Sequence, residues 1–168
     1  MIESSVVVRP AAPDEVTACI DLWAAAVAAR DGIPEHPATR ARAQEKFTAP
    51  RVACLVVIGP DGSLDGFVLV TAPGTGRPTD PDDAAYLSLL AVRPGLQARG
   101  VGRVLLTAAV DAAREAGHAG VALHVLADNH RAVRLYEAGG FVPTGTEFPH
   151  AITGVATRTY VRRPAAER

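Results

Sequence analysis

The chain has 168 residues, of which 48% are hydrophobic and 21% charged, proportions that suit one globular domain over 1–168 with its own core and exclude a disordered or fibrous protein. Net charge is -1, from 17 basic against 18 acidic residues, which excludes a molecule-wide attraction to nucleic acid or to an anionic membrane. Any anion site must be local. Lys46 is the only lysine among the basic residues, a skew that reads as compositional bias. Cys19 and Cys54 lack the paired spacing of a metal site or a disulfide framework and are expected to be buried, reduced thiols. The N-terminal stretch has no charged lead followed by a long apolar run, and no apolar segment approaches the ~20 residues of a membrane span. A cytoplasmic protein without a membrane partner is the expectation.

The β-branched run Val6, Val7 and Val8 makes Ser5 to Arg9 a first strand. Pro13, Asp14 and Glu15 start a first helix that reaches Asp31, and Ala38 to Phe47 has the composition of a second. Val52 to Ile58 and Leu64 to Thr71 flank the turn formers Gly59, Pro60, Asp61 and Gly62, which predicts a hairpin. Ala72 to Asp83 carries three prolines and two glycines and is read as a loop. Tyr86 to Val92 is a fourth strand, apolar except for Ser88, hence buried on both faces.

From Gly100 to Ala116, Arg103, Thr107, Asp111 and Arg114 recur at helical steps and leave Leu106, Ala109, Val110 and Ala113 for the opposite face. Val121 to Leu126 is a fifth strand, and Asn129 can cap a helix that runs to Ala138 and stops at Gly139 and Gly140. Phe141 to Thr146 and Val155 to Arg162 are two closing strands. The resulting class is α/β: a mixed sheet of about seven strands flanked by about four helices, turning parallel where strands four and five flank the Gly100 helix.

The chemistry is expected at that crossover. Gln97, Ala98, Arg99, Gly100, Val101 and Gly102 stand between strand four and the helix. Small residues there let main-chain N–H groups approach an anion, the helix start adds unpaired donors, and Arg99 and Arg103 add charge. A pyrophosphate fits. A Rossmann turn would want a third glycine where Leu105 stands, and a P-loop would want a lysine followed by Ser or Thr.

The pattern Leu90-x-Val92-x-Pro94-x-x-Gln97-x-x-Gly100-x-Gly102 resembles the signature of the GCN5-related N-acetyltransferase (GNAT) superfamily, and Asn129 through Phe141, with Ala132, Tyr136 and Gly140, resembles its second signature. The resemblance implies acetyl-CoA as cosubstrate and an amine of a small molecule or peptide as acceptor. It further implies that strands four and five splay at a bulge near Leu90, Ala91 and Val92, whose main chain pairs with the pantetheine arm, while Gln97 to Arg103 hold the pyrophosphate. Asn129 would contact the pantetheine, and Tyr136 would protonate the departing thiolate.

Some relatives carry a glutamate as base near the start of strand four, but Ala84, Ala85 and Tyr86 stand there, which leaves the base unassigned. Asp82 and Asp83 are loop carboxylates near the site. Ser88, on an alternating face with Tyr86 and Leu90, either holds a water or is satisfied in the core, and His124 is either a base or a buried, hydrogen-bonded imidazole. The remaining histidines have no ligand spacing, so no metal is expected. Trp23, Arg30, Asp31, Glu35, His36, Phe148 and His150 fall in segments that form the acceptor pocket in this family. A second reading, a non-catalytic acyl-CoA-binding sensor, stands on the missing strand-four acid. Pairing of C-terminal edge strands would allow a homodimer.

Overall fold

The structure, a computed structural model, describes residues 6–96 and 99–164. In chain order it contains β1 (Val8–Pro10), a 3-10 turn (Pro13–Glu15), α1 (Val16–Asp31), α2 (Pro37–Lys46), β2 (Arg51–Ile58), β3 (Leu64–Thr71) and β4 (Ala84–Val92). It continues with α3 (Val101–Glu115), β5 (Gly120–Leu126), α4 (His130–Ala138), β6 (Val142–Pro149) and β7 (Ala156–Arg162). Three bounds move from the sequence expectation by two residues or more. β1 is Val8–Pro10 rather than Ser5 to Arg9, because pairing with β2 starts at Val8 opposite Val57, and Ser5 lies outside the described residues. β4 begins at Ala84 because Ala84 and Ala85 pair with Gly120 and Val121, and β6 extends to Pro149 because residues 147–149 rejoin β7 after a slip in register.

Local chemistry sets the element ends. The Glu15 carboxylate accepts from the Ala12 amide at 2.7 Å and from Arg9 at 2.7 Å, which fixes the entry to α1. Asn129 Oδ1 accepts from the Ala132 amide at 3.3 Å and caps α4.

The seven strands form one sheet in the order β1-β2-β3-β4-β5-β7-β6. Every neighbouring pair is antiparallel except β4 and β5, joined through α3. The sheet has a core on each face. Under α3 and α4 lie Val68, Val70, Leu87, Leu105, Leu123 and Tyr160. Under α1 and α2 lie Ile20, Leu22, Val56, Phe67, Leu69 and Leu89, with the thiols of Cys19 and Cys54 hydrogen-bonded to each other. Phe67 and Leu105 are fully buried, and such side chains each contribute ~1.5–3 kcal/mol on leaving water.

β4 carries the feature that opens the sheet. Leu69 pairs with Leu89 but Val70 pairs with Leu87, so Ser88 is an extra residue opposite β3. The bulge therefore sits at Ser88, upstream of the expected Leu90 to Val92, which pair regularly with Val68, Phe67 and Gly66. One inserted residue flips the side chains beyond it: Leu87 joins the α3 face, whereas Leu89 joins the α1/α2 face. Leu90 is thereby moved away from the face of Tyr86, against the simple alternation. On its other edge β4 pairs with β5 at only three positions, Ala84, Ala85 and Tyr86. Beyond Tyr86 the two strands part, and the main chain of Leu90, Ala91 and Val92 has no ladder partner in β5. Among the described residues no helix is long and apolar enough to cross a membrane.

Candidate active site

On the α3/α4 side of the gap, α3 starts at Gly100, whose φ of +81° is the left-handed conformation a glycine adopts freely. No side chain caps this helix start, and among the described residues the amides of Val101, Gly102 and Arg103 have no hydrogen-bond partner. A Cβ built on Gly100 would meet nothing within 4 Å, so the turn faces open space, while one on Gly102 would lie 3.3 Å from Leu135. Gly102 thus lets α3 pack closely against α4. Arg99 and Arg103 are exposed, with no salt bridge to a carboxylate among the described residues. Gln97 and Ala98 lie outside the described residues. Tyr136, on α4, is buried with its ring 5.9 Å from Phe141, and burial pushes its phenol up to about 12. Its hydroxyl makes no hydrogen bond among the described residues. A cleft of about 220 Å³ between α3 and α4, lined by Arg103, Leu106, Leu135 and Arg162, does not include Tyr136 in its walls.

On the α1/α2 side, four side chains from separate segments form a continuous chain. Asp80, in the loop before β4, meets His124 Nε2 at 2.8 and 3.0 Å. His124 Nδ1, on β5, lies 3.1 Å from the Tyr86 hydroxyl, and Lys46 Nζ, at the end of α2, donates to that hydroxyl at 3.3 Å and to the Ser88 carbonyl at 3.1 Å. Burial pushes the Asp80 carboxyl up, but the His124 hydrogen bond, the Arg77 amide and the charges of both residues outweigh it and hold the pKa low. An ionised carboxylate only accepts, so His124 Nε2–H donates to Asp80. That tautomer leaves Nδ1 to accept from the Tyr86 hydroxyl, whose oxygen accepts from Lys46. Every link points the same way.

Burial first, then the charges of Asp80 and Tyr136, push the Tyr86 phenol well above its ordinary value against the pull of Arg42 and Arg77. Lys46 is half-buried. Desolvation, with the Arg42 charge, lowers its pKa to about 8. The Phe148 ring packs edge-on against His124, centroids 5.0 Å apart, and carries the Arg77 guanidinium on its face at 3.8 Å. Thr159, cross-strand from His124, has a buried Oγ1 with no hydrogen-bond partner.

Residues 20–141 match the Acetyltransferase (GNAT) family. The chain belongs to this family. It is 35% identical over 115 residues to a mycothiol acetyltransferase of Beutenbergia cavernae, covering 67% of the chain and 36% of that protein. To the streptothricin acetyltransferase of Streptomyces lavendulae it is 34% identical over 92 residues, covering 55% of the chain and 46% of the relative. The chain thus spans less than half the length of these two relatives. Among solved structures, Salmonella typhimurium yncA with its cofactor acetyl-CoA superposes with a TM-score of 0.71 at 18% identity, over 98% of this chain and 97% of the other. That likeness is one of fold.

Within this GNAT fold the residues expected from sequence divide sharply. The Gly100 turn, Asn129 and Tyr136 sit on or beside the parted strands, and His124 and Phe148 sit together across the gap. Of the two loop carboxylates considered for the base, Asp83 is committed to Arg163 at 2.9 and 3.0 Å, and Asp82 is exposed. The carboxylate that reaches His124 is Asp80. His36 caps α2, its Nδ1 accepting from the Ala38 amide at 3.0 Å; Glu35 accepts from Arg40, and Arg30 pairs with Asp31. Sequence reading missed Asp80, Lys46, Arg42 and Arg77. For Lys46 a signal existed: a lone lysine where arginine fills every other basic position marks a site where a movable pKa is available.

Proposed function

We propose that this chain is an acetyl-CoA-dependent N-acetyltransferase acting on a primary amine by direct attack on the thioester. The observation that carries the reading is the side-chain series Lys46, Tyr86, His124 and Asp80, which stands at the last paired position before β4 and β5 part. For the coenzyme, the unpaired amides of Val101, Gly102 and Arg103 and the charges of Arg99 and Arg103 would hold a diphosphate, together with Gln97 and Ala98 of the same turn. The free edge of Leu90, Ala91 and Val92 would pair with the amides of the pantetheine arm, and Asn129, still carrying a free side-chain N–H2, would add a contact.

Acetyl-CoA supplies a thioester carbonyl open to attack and a thiolate that must be protonated. At pH 7 an amine with a pKa near 10.4 costs about 4.6 kcal/mol to deprotonate, so a base must take its proton. The Tyr86 oxygen would receive it while passing its own hydroxyl proton to His124 Nδ1, leaving an imidazolium beside the Asp80 carboxylate. Tyr136, kept as a neutral phenol by burial, would give its proton to the thiolate from the opposite face. The relay supplies the base whose absence favoured a non-catalytic sensor.

Free-thiol release from acetyl-CoA over a broad amine panel tests this. Acceptor-dependent release that collapses in Tyr86→Phe is expected. Tight coenzyme binding with no acceptor-dependent release from any amine would remove the transfer activity.

A further inference from the structure

The cations of this chain are partnered unevenly. Arg9, Arg30, Arg40, Arg93, Arg114, Arg158 and Arg163 each form a salt bridge with a carboxylate. On the outer side of α2, Arg40 has two, Asp21 and Glu35. On its inner side Arg42 and Lys46, one helical turn apart, have none among the described residues. Like charges at that spacing repel along a helix, and among the described residues Lys46 has only the neutral acceptors Tyr86 and Ser88. Arg77, which stacks on Phe148, makes no salt bridge among the described residues, though its charge helps hold Asp80 ionised. Of the carboxylates whose charge reaches this corner, Asp80 is already taken by His124 and by the Arg77 amide at 2.9 Å, and Asp31, which acts on His150, is paired with Arg30.

His150 sharpens the imbalance. Its Nδ1 faces the amides of Ile152 and Thr153, both at 3.2 Å, and its Nε2 faces Arg42 Nη1 at 3.3 Å. A neutral imidazole has one N–H and one lone pair, so one of these nitrogens must turn a donor toward a donor. This corner holds more N–H groups than acceptors. A half-buried ammonium and guanidinium without a counter-charge are costly to keep, and the missing component is an anion.

We propose that the acceptor amine carries its own carboxylate, as an α-amino acid does, and that Arg42 and Lys46 hold that carboxylate with Arg77 closing the opposite side. The proposal rests on the reading of the chain as an amine acetyltransferase. The spacing fits: Lys46 Nζ is 3.3 Å from the Tyr86 hydroxyl, so a carboxylate on Lys46 places an α-amine within reach of the group that takes its proton. Amines without an anion, or with further positive charge, would enter against Arg42 and Lys46, neither of which has a carboxylate partner among the described residues.

The test uses the wild-type chain with acetyl-CoA and three matched sets of acceptors: α-amino acids, their amides, and the amines left on removing the carboxylate. Thiol release is expected from members of the first set, with at least a hundredfold loss of kcat/KM in the other two. Arg42→Gln should raise KM for the acid at least tenfold more than it raises KM for the amide. Amides or simple amines used as well as the acids would overturn the anionic acceptor and leave acetyl transfer standing. No release from any set, with acetyl-CoA bound by calorimetry, would remove both.

Discussion

The two sides of the strand gap are built from different materials. The α3/α4 side offers main-chain amides at a helix start, glycines and one phenol; the α1/α2 side offers Lys46, Asp80, Tyr86 and His124, one each from a helix, a loop and two strands. Main-chain donors stay in place whenever the helix forms, so that side can recognise a ligand with little dependence on neighbouring side chains. A relay of side chains works only if each link holds its geometry to a fraction of an ångström. The contrast separates coenzyme recognition by main-chain groups from proton transfer by side chains, and substitutions in one set should leave the other's measurement untouched.

The largest expected effect is on the side-chain face. His124→Ala should lower kcat/KM by about 10²–10⁴-fold at pH 7, with acetyl-CoA affinity by calorimetry unchanged; a parallel loss of affinity would erase the division. Tyr136→Phe should lower kcat by about 10²-fold with little change in KM, since the phenol acts on the departing group. Steady-state kinetics showing a changed KM alone would remove it from the acid role. Gly100→Asp should do the reverse of these two. It forces a side chain to φ +81°, which costs fold stability, and sets a negative charge at the helix start where the diphosphate would lie, which should weaken acetyl-CoA binding by about tenfold or more, while turnover at saturating coenzyme persists.

The smallest effect concerns stability. Lys46 has a folded pKa of about 8, below its ordinary value of 10.5, because desolvation and Arg42 disfavour its charge. The folded state is therefore penalised throughout the range below pH 8. The penalty fades as pH rises from 8 toward 10.5, where the unfolded chain also releases its proton. Lys46→Met should stabilise the chain by about 1–2 kcal/mol at pH 7, after allowing for the lost hydrogen bond to Ser88. Urea unfolding at pH 7 and pH 10 checks the sign: the advantage should shrink at the higher pH.

Legibility in the sequence followed the same division. The Gly100 turn, the amphipathic face of α3, the Asn129 cap and the placement of Tyr136 on α4 are local patterns, and the element order they imply is the one observed. The bulge escaped because Tyr86 to Val92 is apolar on both faces, so no alternation marks where one residue slips; only the pairing of Leu87 and Leu89 with adjacent residues of β3 reveals Ser88. Asp80 escaped because nothing within a proline-rich loop distinguishes it from Asp82 and Asp83. Its role exists only once β4 and β5 bring His124 opposite, 44 positions along the chain. Lys46 was hidden by the arginine bias that should have drawn attention to it.

A crystal structure with acetyl-CoA bound tests the central claim most directly. The diphosphate should lie on the amides of Val101, Gly102 and Arg103, with the thioester in the gap between the hydroxyls of Tyr136 and Tyr86. Coenzyme lodged in the outer cleft beside Leu106 and Arg162, with the parted strands holding no ligand, would contradict the account.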